Sequence, residues 1–135
     1  MKKEFVIYTK MLDIVVWLFQ KIIKFPQKQR FVLGQQIETS ALTCLRYIIE
    51  ANNAGAGPVA LEKLTALNVE LEMLRSLLRV AFEVGFMSGK SLGFITSQID
   101  EVGRMRGGWA RHYVTTSQAL PEKPYEQACT WVVTL

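Results

Sequence analysis

A chain of 135 residues, half of them apolar and 21 % charged, has the volume for one domain with a real core and is too apolar to be disordered. Sixteen Lys and Arg against twelve Asp and Glu leave a net charge of +4, moderately basic and compatible with a nucleic-acid partner. Two cysteines, Cys44 and Cys129, make no disulfide framework, and the single histidine, His112, excludes a multi-histidine metal site; a reducing cytoplasm is the expected setting.

The first residues, MKKEFVIYTKMLDIVVWLFQKIIKF, resemble a signal peptide or membrane span only in part. Lys10 and Asp13 interrupt the run, no small-residue cleavage site follows, and the uncharged stretch 14–20 is too short to cross a bilayer. The expectation is an amphipathic helix over about 5–24. Phe5, Tyr8, Leu12, Val15, Phe19 and Ile22 alternate in steps of three and four, as a bundle helix requires. Met11, Ile14, Val16, Trp17, Leu18 and Ile23 widen that stripe almost all round. A helix this apolar buries more than one face, either centrally or against another subunit.

Pro26 turns the chain into a second helix, about 28–52, with Gly34, Ile37, Ala41, Cys44, Leu45 and Ile48 on one side. Around that turn Lys21, Lys24, Lys28 and Arg30 come with no acid between them, and in an up-down bundle Lys90 falls at the same end. These five form the best local candidate for phosphate binding, which would be sequence-independent and weakened by salt. A solubilising rim is the plain alternative. The helix ends in ANNAGAGP, rich in turn formers.

The third helix, about 59–86, has the cleanest register. Leu64, Leu67, Leu71, Leu74, Leu78, Ala81 and Gly85 step by three and four. Its flank, Asn68, Glu72, Arg75, Arg79 and Glu83, alternates in sign, as on a self-neutralised solvated face or an ion-paired subunit contact.

A fourth helix, about 92–114, turns Ile95, Ile99, Val102, Trp109 and Tyr113 inward. Opposite them Asp100, Arg104, Gly107, Gly108 and Arg111 share a side; each glycine costs roughly 1 kcal/mol against Ala in a helix, so something comes close to that backbone or the helix breaks. The plain reading pairs Asp100 with Arg104 at i,i+4. Arg106 lies within about 20° of the apolar stripe, where an unpaired guanidinium is costly. It either snorkels, faces a wet space between subunits or finds a carboxylate, with Glu38 the first candidate at similar depth and Glu72 the second. Short connections between long helices favour antiparallel neighbours, so the expected architecture is an all-α, up-down-up-down four-helix bundle over 1–114. The tail 115–135, broken by Pro121 and Pro124, has no assignable conformation.

No paired-Cys or His metal spacing, phosphate loop or activated nucleophile occurs, so no cofactor and no enzymatic activity are expected.

KFPQKQRFVLGQQIETSAL (24–42), LRSLLRVAFEV (74–84) and SQIDEVGRMRGGWAR (97–111) together resemble the Avd family, the accessory variability determinants of diversity-generating retroelements, related to the ribosomal-RNA intervening-sequence proteins. The likeness covers roughly 8–113 and rests on three motifs in the right order. It implies a homopentameric ring of four-helix bundles that binds a reverse transcriptase and nucleic acid in support of mutagenic retrohoming, the chemistry belonging to the polymerase. Arg75 and Arg79 match the family's LR-LLR arginines, Arg104 its GRM motif, and Gly107, Gly108 and Trp109 its GGW. Two departures stand out: position 106 is usually apolar in that pattern, and the tail after Thr115 has no counterpart.

With the likeness included, Arg75, Arg79, Arg104, Arg106 and Arg111 join the turn cations as candidate nucleic-acid or partner contacts. Trp17, Gly107, Gly108 and Trp109 are candidate contacts between copies. The competing readings are a stand-alone self-associating bundle with no polymerase partner and, from another class, a small enzyme or ligand-binding bundle using His112 and Glu38.

Overall fold

The computed structural model describes residues 3–118, with side chains from 6 to 114. Helix α1 spans Lys3–Ile22; a single turn α2, Gln27–Gln29, passes through a π-helical turn, Arg30–Gly34, into α3, Gln35–Ala54. Helix α4 is Pro58–Glu83 and α5 is Gly89–Gln118. The caps between α2, the π turn and α3 are all right-handed helical, so these three pieces form one rod. Rods α1, α2–α3, α4 and α5 make an up-down-up-down four-helix bundle, with no strand among the described residues. Helix α3 packs on α1 and α4, and α5 packs on the same two helices, so α3 and α5 stand across a diagonal.

Three of the four expected stripes are the core. Ile37, Ala41, Cys44 and Ile48 of α3, Leu64 through Ala81 of α4, and Ile95, Ile99 and Val102 of α5 are almost fully buried. Helix α1 is a correction. Its buried stripe is Ile7, Met11, Ile14, Leu18 and Ile22, with Val15 beside it; Val15 and Ile22 are inside as expected, whereas Leu12 and Phe19 are on the surface with Val16. Both stripes satisfy three-and-four spacing, so periodicity alone does not choose between them.

The third helix stops earlier than expected, at Glu83. Gly85, expected in the inward stripe, takes φ +88° and ends the helix. Its N–H donates to Phe82 and the Phe86 N–H donates to Ala81, the paired bonds of a Schellman cap. Phe86 then meets Phe25 of the first turn at 5.7 Å between ring centroids, tying both connections at one end of the bundle together. Helix α5 reaches four residues into the segment expected as tail, and the remaining tail, with Pro121, Pro124 and TWVVTL, lies outside the described residues. Among the described residues no helix is long and apolar enough to cross a membrane.

Candidate nucleic-acid and partner interface

The π turn makes the first candidate surface. Gly34 is buried against α1, and a Cβ placed there would sit 2.7 Å from Ile22 Cγ2, so only glycine lets the rod approach the end of α1 this closely. Phe25, 4 % exposed, plugs the core below the turn. The cations are thereby held outward. Lys24, Lys28, Arg30 and Lys90 are exposed and none forms an ion pair among the described residues. Lys21 is half-buried, its ammonium 5.5 Å from the centroid of the Trp17 ring, a cation–π contact. Trp17 itself is partly covered by Phe94 of α5 at 5.6 Å. Lys90 stands at the first turn of α5, at this same end.

The arginines of α4 and α5 are placed differently. Arg75 Nε donates to Asp100 Oδ1 at 2.9 Å, joining α4 to α5, and Arg79 Nε donates to Glu83 Oε1 at 2.8 Å along α4. The expected Asp100–Arg104 pair is therefore not formed: Asp100 faces α4, and Arg104 is left exposed. Two further bridges that sequence spacing did not suggest, Lys10–Glu101 at 3.2 Å and Ser40 Oγ donating to Glu70 at 2.7 Å, join α1 to α5 and α3 to α4.

Glycines on α5 are seats for guanidinium groups. A Cβ at Gly103 would lie 3.2 Å from Arg75 Nη2, and one at Gly107 would lie 3.2 Å from Arg111 Nη1. What comes close to the backbone at Gly107 and Gly108 is the Arg111 side chain, folded back over both. The helix runs unbroken through both. Trp109, expected at a contact between copies as well as inward, is 2 % exposed within this chain's own core, edge-on to Tyr113.

Arg106 does stand in the core stripe, one layer above Trp109. Burial, and then the nearby Arg111 guanidinium, hold its pKa below the usual guanidinium value. Its Nε is shut off from solvent with no hydrogen-bond partner among the described residues, as is Trp109 Nε1. The Glu38–Arg106 pair is not formed, because α3 and α5 lie across the diagonal. Glu38 instead lines a groove beside the π turn, which also holds Arg30 and Phe31, and Glu72 is exposed with no ion pair among the described residues.

The groove and its exposed apolar wall were missed. A signal was present: Phe31, Val32 and Leu33 are three consecutive large apolar residues, and a helix on a core can turn only part of such a run inward. Among the described residues no three His, Cys, Asp or Glu side chains gather as a metal site. Burial pushes the Cys44 thiol up to about 12, too high for a nucleophile near neutral pH. His112 is on the surface beside Tyr113.

A family model described as bAvd-like matches residues 5–113. The crystal structure of a protein of unknown function from the S23 ribosomal protein family of Bacteroides thetaiotaomicron superposes with a TM-score of 0.74 at 18 % identity, over 82 % of this chain and 99 % of that one. At that identity the likeness speaks for the fold. No curated protein matches this chain.

Proposed function

The chain belongs to the bAvd-like family, and from that premise we propose that it is a non-catalytic accessory subunit of a diversity-generating retroelement. It holds the element's reverse transcriptase and its template RNA or cDNA in the cytoplasm and supports mutagenic retrohoming. The observation that carries this reading is the end of the bundle where Lys24, Lys28, Arg30 and Lys90 stand exposed with no carboxylate partner among the described residues. Free cations release counterions when they meet phosphates, whereas paired ones such as Arg79 first give up an existing contact.

Self-association into a ring has its own support. Leu12, Val16 and Phe19 form an outer apolar stripe on α1, and Val69, Met73 and Val80 form another on α4. Helices α1 and α4 stand across the other diagonal of the bundle, so the two stripes look in different directions. Different patches on different sides make a head-to-tail contact, and such contacts close into rings when the rotation allows. Five copies are the number that the family resemblance implies.

The decisive experiment is co-purification of the full chain with the reverse transcriptase encoded beside it, with light scattering on the free chain. A stable complex that survives nuclease treatment, and a mass of five subunits, are expected. A monomer that neither retains the polymerase nor shifts structured RNA at low salt would end the proposal. A genome with no reverse-transcriptase gene and no adenine-differing repeat pair nearby would favour a stand-alone bundle instead.

A further inference from the structure

The end that carries the free cations also carries apolar surface with no role in the fold. Phe31 is 72 % exposed, Ile23 66 % and Val32 64 %. They sit in a stretch, 14–37, that contains no Asp or Glu. A groove of about 470 Å³ opens beside Phe31, floored by Ile22 and Ile23, with Arg30 at its side. Its polar edge is made by Gln27, Gln35 and Glu38. The wall comes from a π turn, a rare element that recurs at functional sites.

We infer that this groove takes an unpaired base of single-stranded nucleic acid, stacked on Phe31, with the flanking phosphates on Lys24, Lys28 and Arg30. The inference rests on the reading of this turn as a phosphate-binding surface and adds what occupies its apolar part. A cationic track beside an aromatic platform is how single strands are held without sequence preference, since every base has a π face. A duplex keeps its base faces stacked internally and would leave Phe31 and Ile23 against its sugar-phosphate edge. A second copy of this end would set like charges against each other. The Glu38 side chain offers acceptor oxygens, so it favours cytosine, which presents an N4 amine, over uracil, which presents the O4 carbonyl at the same place.

The test uses the full chain and short labelled oligonucleotides of cytidine or uridine, with an RNA hairpin of matching charge. Binding is read by anisotropy across a salt series, and stacking by quenching of 2-aminopurine placed in the strand. Phe31→Ala should weaken single-strand binding about tenfold or more and abolish the quench, with hairpin affinity and the slope against salt unchanged. Phe31→Trp should restore both. Glu38→Gln should reduce the preference for cytidine over uridine. Phe31 is exposed, so its truncation leaves folding intact, which thermal melting by circular dichroism verifies.

Wild-type affinity and quench in Phe31→Ala overturn the inference while leaving the phosphate surface standing. So does an equal loss for strand and hairpin, or a loss of binding to anionic vesicles or acidic peptides with the oligonucleotides unaffected. Absence of binding to any polynucleotide at low salt overturns the phosphate reading itself.

Discussion

The arginines of α4 and α5, Arg104 apart, and the cations of the first turn look alike in sequence and differ in what surrounds them. Arg75 and Arg79 each hold a carboxylate at 2.9 and 2.8 Å, and Arg111 lies along its own helix over two glycines. Lys24, Lys28, Arg30 and Lys90 meet none among the described residues. The Arg75 pair joins α4 to α5 and the Arg79 pair stays within the last turns of α4, and in both the guanidinium must leave a carboxylate before it can meet a ligand. A charge without such a partner contributes its full counterion release on binding.

That contrast is broken most directly by removing each set in turn. Replacing Lys21, Lys24, Lys28 and Arg30 with Gln should lower affinity for RNA by roughly two to three orders of magnitude near 0.05 M salt and flatten the salt slope by about three. Arg75→Gln with Arg79→Gln should change affinity less than about threefold, because those groups are already engaged. Fluorescence anisotropy over a salt series checks both. If the α4 pair matters as much as the turn, the distinction between engaged and free cations is wrong.

The second expectation concerns the part that holds the turn in place. Gly34→Ala puts a methyl 2.7 Å from Ile22 Cγ2. Both atoms are buried between α1 and the π turn, so one helix has to move. The cost should be about 2 kcal/mol, a fall of several degrees in Tm for a domain of this size, read by thermal melting. RNA affinity should fall with it, because the displaced turn carries Lys28 and Arg30. No change in either would mean that the turn is looser than its packing indicates.

How much of this was legible from the sequence divides along the same line. The stripes of α3, α4 and α5 were readable because in each one run of apolar residues keeps the three-and-four register along the helix, and the exposed ones, such as Val69 and Met73, fall outside it. Helix α1 was not, because two stripes with the same spacing compete and only the position of the neighbouring helices decides which is inside. The positions of the cations were readable as well, but their partners were not. Asp100 lies four residues from Arg104 in sequence and twenty-five from Arg75, yet it bonds the latter, since helix packing and not local spacing aims it. The π turn has no propensity signal of its own, so the groove beside it depended on structure.

Arg106 sharpens the comparison from a third side, as a charge neither paired nor free. Its place in the three-and-four register between Val102 and Trp109 is one that Leu would fill, and its Nε has no partner. Arg106→Leu should therefore stabilise the bundle by about 1–2 kcal/mol, measured by denaturant unfolding, while Glu38→Ala should leave stability nearly unchanged. A marked loss in Arg106→Leu would show that the guanidinium has a role in the fold that outweighs its desolvation.

The smallest effect expected is also the one that bears on why two glycines sit in the middle of α5. A Cβ at Gly107 would meet Arg111 Nη1 at 3.2 Å, closer than is comfortable, but the atom it meets is the tip of a long side chain whose residue is exposed. The guanidinium can swing into solvent, whereas the Ile22 methyl that faces Gly34 cannot. Gly107→Ala should then gain about 0.5–1 kcal/mol from reduced backbone freedom in the unfolded chain. If the substitution stabilises the isolated chain yet lowers the mass seen by light scattering, the glycine is kept for the approach of a neighbouring subunit and not for Arg111. If it destabilises the chain at low concentration, where copies separate, the Arg111 side chain is fixed over that backbone and serves the fold itself.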